Sequence, residues 1–236
     1  MTRALAIVHQ ADAGPGVFDE AIRGVGAELD IWSISDDAEP PANPAGYDAV
    51  LSFGGAMHVD QEDEHPWLAP EKALLADLLA GGIPLFGVCL GAQLLAEAAG
   101  TAARRSTVPE IGWFDVELTA AGRDDPVMGP LAPVFTAFGW HSYECPLPPD
   151  AVPLAGSETC LQAFRIGERA WGIQFHAEVS TADAEFWIRH YDTDPDAVAA
   201  GIDPTALWQE SKPLLPAWNQ LGRDLATRFI KGSDPL

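Results

Sequence analysis

The chain predicts an α/β fold built on a mostly parallel sheet. Two observations carry the prediction. Strand and helix signals alternate through the first half, the order that feeds parallel strands through right-handed crossovers. Short unbroken apolar runs, at residues 4–8 and 83–88, are those of strands covered on both faces. With 236 residues, 47% of them hydrophobic, the chain suffices for one sizeable domain, or one domain with a small appendage.

The elements follow in order. Residues 4–8 form a first strand, and His9-Gln10-Ala11-Asp12 ends its apolar run too soon for a secretory signal. Gly14-Pro15-Gly16 breaks the chain, and a helix follows over about 17–27. Residues 28–34 read as a second strand, and 36–46, rich in Pro, Asp and Asn, as a loop. A third strand at 49–53 is stopped by Gly54-Gly55. Residues 70–79 read as a helix with Pro70 in its first turn, Glu71 complementing the dipole and an apolar stripe of Leu74, Leu75, Leu78 and Leu79. The strand at 83–88 then leads into a helix over 90–99.

The second half is richer in strands, at about 111–118, 133–139, 151–156, 161–166 and 170–175. From Thr181 the chain reads as helical. Asp203-Pro204 supplies an N-cap followed by Pro at the first helical position. Trp218, Leu221, Leu225 and Phe229 space out a last amphipathic helix. The loop at about 191–204 suggests a core domain over 1–190 and a C-terminal helical extension over 191–236.

Charge and cysteine content bound the function. There are 35 acidic against 13 basic residues, a net charge of -22, which excludes a nucleic-acid or anionic-membrane surface. A solvated, self-repelling surface accounts for it, with a basic partner as the second reading. Three cysteines, an odd number, argue against a disulfide framework and for a reducing compartment. No apolar run approaches the ~20 residues of a membrane span, so a soluble cytoplasmic protein is expected.

The chemistry centres on Gly87-Val88-Cys89-Leu90-Gly91-Ala92-Gln93. A cysteine between two glycines, where a strand turns into a helix, has the layout of a nucleophile elbow with sulfur in place of the hydroxyl. The glycines remove side chains that a tight turn would crowd, and a helix N-terminus favours thiolate. A base is offered by Gln174-Phe175-His176-Ala177-Glu178, where an apolar strand ends in a histidine and a carboxylate follows at i+2. On an extended strand His176 and Glu178 share a face, so Glu178 can hold one ring nitrogen while the other meets Cys89. Ser52-Phe53-Gly54-Gly55 can expose backbone N–H groups to an oxyanion, with Leu90 N–H as second donor. Each piece alone also reads blandly, as a core cysteine, an edge histidine and an ordinary Gly-Gly turn.

Together, in this order, the motifs resemble the class I (triad) glutamine amidotransferases, and more closely the stand-alone GMP synthase-like members. His65-Pro66-Trp67 with Glu71-Lys72, Glu110-Ile111-Gly112-Trp113, Trp140-His141-Ser142 and Gln162-Ala163-Phe164 extend the match over about 48–178. The resemblance implies a flavodoxin-like three-layer sandwich and a Cys89, His176, Glu178 triad. It implies an oxyanion hole of Gly55 and Leu90, and substrate contacts from Gly54, Gln93, Ser142 and Tyr143. His141-Ser142-Tyr143 departs from the family's common H-G-D and H-G-F forms, and Ala92 stands where biosynthetic members often carry histidine.

The implied reaction cleaves a γ-glutamyl amide through a cysteine thioester, with no cofactor and no metal. The substrate is glutamine or another small γ-glutamyl compound. Only about 45 residues follow the core and no nucleotide loop is present, so ammonia is expected to reach solvent or a separate synthetase subunit. A γ-glutamyl peptide hydrolase, a silent regulatory protein of the same fold and a different cysteine hydrolase are the competing readings. The C-terminal helices are compatible with a homodimer surface, a cover for the site or a synthetase dock. The acidic and histidine-bearing stretch from His58 to His65 reads as a polar loop over the site, and Cys145 and Cys160 as inert. Glu110 reads as a strand-start carboxylate, with a substrate ammonium as the sharper alternative. His9 and His190 have no partner in sequence.

Overall fold

In order, the chain forms β1 (Arg3–Val8), α1 (Val17–Gly24), β2 (Glu28–Ser33), β3 (Ala49–Ser52), α2 (Leu68–Ala80), β4 (Leu85–Val88) and α3 (Leu90–Ala98). There follow β5 (Arg104–Leu118), α4 (Ala120–Asp124), β6 (Val134–Glu144), β7 (Val152–Gly156), β8 (Leu161–Ile166) and β9 (Ala170–Ile173). The chain ends in α5 (Thr181–Arg189), α6 (Pro195–Ala199) and α7 (Pro204–Gly232). The computed structural model describes residues 1–36 and 39–232. Residues 37 and 38 of the expected loop, and 233–236 of the expected extension, lie outside the described residues.

The described strands form one sheet in the order β2-β1-β3-β4-β9-β8-β7-β5-β6. From β2 to β9 neighbours pair parallel, and from β9 to β6 antiparallel. Strand alternation sends successive side chains to opposite faces. On β1, Ala4, Ala6 and Val8 enter one core with α1, α5 and α7, while Leu5 and Ile7 enter the other with α2 and α3. The sheet is therefore the middle layer of three, as the apolar runs predicted. Helix α1 buries Val17, Phe18, Ala21 and Ile22, the stripe that 3.6-residue periodicity provides. Helix α7 packs beside α1 and sends Trp218, Leu225 and Phe229 into the same core.

Two strands run longer than the sequence pattern indicated. Polar residues at Glu110, His141 and Ser142 interrupt the apolar signal, yet β5 extends back to Arg104 and β6 on to Glu144. Glu110 pairs directly opposite His141, beyond a register shift between Arg105 and Glu110. The ladder overrides the pattern because the polar side chains find partners in the fold: His141 lies 3.3 Å from Glu110 across the pair, and Ser142 donates to Asp196.

The expected strand at 170–175 instead stops at Ile173. The Gln174 N–H still reaches Gln162 O on β8, but the His176 N–H reaches Phe138 O on β6, at 2.8 Å. The chain leaves its ladder there and bends toward the antiparallel half of the sheet. His176 and Glu178 therefore stand beyond the strand, on a bent segment, rather than on the face of a continuing one.

Candidate active site

The carboxyl ends of β3, β4 and β9 finish level. Ser52 lies opposite Gly87, Gly87 opposite Gly172, and Val88 opposite Ile173. In open α/β sheets this edge is where ligands bind. The chain leaves β4 through Cys89, which caps the N-terminus of α3 with φ 50° and ψ −108°. A non-glycine residue there carries roughly 1–3 kcal/mol of backbone strain, tolerated only where neighbours fix it. The Cys89 N–H donates to Ile173 O at 2.9 Å, and the Gly91 N–H to Phe53 O at 3.0 Å. Gly87 and Gly91 leave no room for substitution. A Cβ on Gly91 would stand 2.0 Å from Ser52 O, and one on Gly87 2.6 Å from Gly91 O.

The fold brings Cys89, His176 and Glu178 together. The Nδ1 of His176 donates to Glu178 Oε1 at 2.7 Å; Cys89 and His176 both face the cavity and flank Gly54, and Cys89 Sγ donates to Trp140 O at 3.9 Å. All three are buried, His176 to 3% and Glu178 to 1% exposure. Burial pushes the His176 imidazolium down, but the Glu178 carboxylate and the Cys89 sulfur outweigh it and raise it to about 10. Trp187 packs edge-on against the ring, and Trp218 Nε1 donates to His176 O at 2.8 Å, so α5 and α7 both brace the histidine.

Gly54 lies under this group. A Cβ there would come within 3.0 Å of His176 Cε1 and 3.7 Å of Cys89 Cβ. Gly55 and Leu90 line the cavity beside Cys89, and neither N–H has an acceptor among the described residues. Gln93 is buried, with Nε2 donating to Gln174 Oε1 at 3.2 Å and to Tyr143 O at 3.4 Å. Ser142 Oγ donates to Asp196 on α6. Tyr143 stacks on His58 at 4.2 Å, and its hydroxyl donates to Asp60 at 3.0 Å. The loop from His58 thus lies over the site, as expected. All the sequence-predicted residues therefore gather at one sheet edge, Glu178 and Gly54 behind those that face the cavity.

Some cavity residues carried no signal in the sequence. Asp194 accepts from Trp140 Nε1 at 2.8 Å, and Asp196 pairs with Arg105 at 2.8 Å and His58 at 3.4 Å. Both acids come from the segment between α5 and α7, which supplies part of the cavity wall. A charged residue in a Pro/Asp-rich linker reads as solvated, and only tertiary contact shows otherwise. Glu71 lies in the first turn of α2, as expected, and is buried there, 1% exposed and paired with His9.

A second polar group lies beneath β5 and β6. Glu110, His141 and Cys160 bring their ligand atoms within 4.8 Å of one another. They are already committed. Glu110 Oε2 accepts from Gln162 Nε2 at 2.6 Å and from Cys160 Sγ at 3.3 Å, and His141 Nδ1 donates to Tyr143 O at 3.0 Å. Glu110 is thus a buried structural anchor rather than a free ammonium-binding acid. Burial pushes the Cys160 thiol up, and Glu110 adds to it; burial also pushes Cys145 up to about 12. Both thiols are poor nucleophiles in this setting.

Comparison with known proteins agrees with this geometry. Residues 17–189 match the family model described as glutamine amidotransferase class-I. The chain belongs to that family, whose members are glutamine-hydrolysing amidotransferases. It is 30% identical over 190 residues to the glutamine amidotransferase-like protein YfeJ of Salmonella typhimurium, covering 78% of this chain and 79% of YfeJ. It is 32% identical over 221 residues to the glutamine-hydrolysing GMP synthase of Edwardsiella ictaluri, covering 89% of this chain but only 39% of that enzyme. The crystal structure of a glutamine amidotransferase from Thermotoga maritima superposes with a TM-score of 0.85 at 29% identity, over 98% of both chains.

Proposed function

We propose that the protein hydrolyses the γ-carboxamide of glutamine, or of a small γ-glutamyl compound, with Cys89 as nucleophile. The observation that carries this reading is the buried Cys89, His176, Glu178 group at the level ends of β3, β4 and β9. The Cys89 sulfur attacks the amide carbon, and the oxyanion receives the Gly55 and Leu90 N–H groups. His176 holds the proton lost by the thiol and delivers it to the leaving nitrogen, so that ammonia departs and a γ-glutamyl thioester remains. Water then opens the thioester with His176 as base, releasing glutamate and returning the thiol. Glu178 fixes the Nδ1–H tautomer that both steps need. Gln93, Ser142 and Tyr143 line the face on which the amino-acid end would rest. The ammonia passes to solvent or to a synthetase partner.

A larger leaving group is the second reading. Trp140, Phe186 and Trp187 also line the cavity, and apolar lining of this kind favours γ-glutamyl peptides or amines. Labelling tests the shared chemistry. The diazoketone analogue of glutamine should add once, at Cys89, by mass spectrometry, and Cys89→Ala should take no label. Label on Cys145 or Cys160, or undiminished label in Cys89→Ala, would contradict the assignment.

A further inference from the structure

The peptide that carries the proposed Gly55 donor is gripped from behind. His9 follows β1 and is buried, with Nδ1 3.2 Å from Gly54 O and Nε2 2.8 Å from Glu71 Oε2 on α2. A carbonyl and a carboxylate only accept hydrogen bonds. Both ring nitrogens therefore face acceptor oxygens, the arrangement that suits an imidazolium. Burial pushes that charge down, but Glu71 and the carbonyls of Gly54 and Phe53 outweigh it and raise the group. Ser52 Oγ donates to the other Glu71 oxygen at 2.9 Å, and Trp67 stacks on the His9 ring at 5.0 Å. The ring of His65 lies beyond Trp67, at 5.8 Å from it.

In a trans peptide the C=O and the following N–H point in opposite directions. His9 holds the Gly54 carbonyl from the interior, so the Gly55 N–H of the same peptide faces the cavity beside Cys89 and Leu90. We infer that His9, charged by Glu71, is a positioning residue that aims and polarises the Gly55 N–H before substrate arrives. This rests on the function proposed above. A preset donor costs no reorganisation when the oxyanion forms, and a cation one peptide unit behind it strengthens the donor. Neither His9 nor Glu71 lines the cavity, and the charge their donor meets develops in the transition state, so their effect belongs to kcat.

The test compares His9→Phe, His9→Asn and Glu71→Gln with wild-type protein. Removing one oxyanion donor costs about 100- to 1000-fold; losing only its alignment should cost about 10- to 100-fold in kcat for glutamine, with KM within about threefold. His9→Asn should recover part of the loss, because its amide can still donate to Gly54 O. Alkylation of Cys89 by iodoacetamide forms no oxyanion and should be unchanged in all three. Nitrogen-15 spectra of wild-type protein at pH 7.5 should show both His9 ring nitrogens protonated, and the Gly55 amide should shift in Glu71→Gln. An unprotonated His9 nitrogen, or unchanged kcat in a folded His9→Phe or Glu71→Gln, overturns this inference alone. A wild-type protein inactive on every γ-glutamyl compound overturns it together with the function.

Discussion

At the scale of single residues, the site depends on His176 being charged at rest. The Glu178 carboxylate and the neighbouring Cys89 sulfur hold the proton to about pH 10, whereas an unfolded histidine releases it near 6.5. The folded value is the higher one, so the stability this proton contributes is complete below about pH 6.5. It falls through the interval and is gone above about pH 10. Urea midpoints should therefore drop between pH 6 and pH 10, and the drop should shrink in Glu178→Gln, which removes the carboxylate paired with the ring. An equal drop in both proteins would contradict the pairing. The catalytic counterpart is that Glu178→Gln should lower kcat by at least about 100-fold, since the ring loses its tautomer as well as its counter-charge; ammonia release under saturating substrate reads it. The contact of His176 with Glu178 and the turn at Cys89 were legible in the sequence, because each sits in a short local pattern of a strand end or flanking glycines. The pairing of His9 with Glu71 was not, because the two stand 62 residues apart and neither local pattern names the other.

At the scale of elements, close backbone approach decides which glycines matter. Gly222 on α7 would place a Cβ 1.9 Å from Ala177 O, between His176 and Glu178. Gly222→Ala should therefore push α7 off the segment that carries the site, costing about 1–3 kcal/mol by analogy with overpacked cores. Activity should fall with it, and chemical denaturation and kcat measured together check both. Gly100, with open space around it and φ 94°, is the control that isolates backbone strain from steric clash. Element order in the first half was readable because helix and strand periods differ and Gly-Pro breaks separate them. The ends of β5, β6 and β9 were not, because hydrogen bonds to distant strands set those limits. The bend after Ile173 is the instructive case. The H-x-E spacing led to the right contact through the wrong geometry, since a bent segment, not strand alternation, brings the two side chains together.

At the scale of the whole molecule, the three-layer sandwich makes one rigid edge from three strands, and the C-terminal helices complete its wall. Helix α7 reads in sequence as an appendage because its amphipathic stripe names no partner; in the fold it shares a core with α1 and donates to His176 O through Trp218. The net charge of -22 is spread over a surface that must repel itself, so stability should rise with salt. The unfolding temperature should climb by several degrees between low and moderate ionic strength as screening shortens the Debye length from about 30 to 8 Å; calorimetry at fixed pH reads this. A flat or falling profile would mean that local ion pairs offset the repulsion. The most direct measurement of the central claim is ammonia release from glutamine and a panel of γ-glutamyl peptides and amines by the purified chain. Steady release from at least one of them, abolished in Cys89→Ala and retained in Cys160→Ala, is the predicted result. Release that survives Cys89→Ala, or no release from any member of the panel, would contradict it.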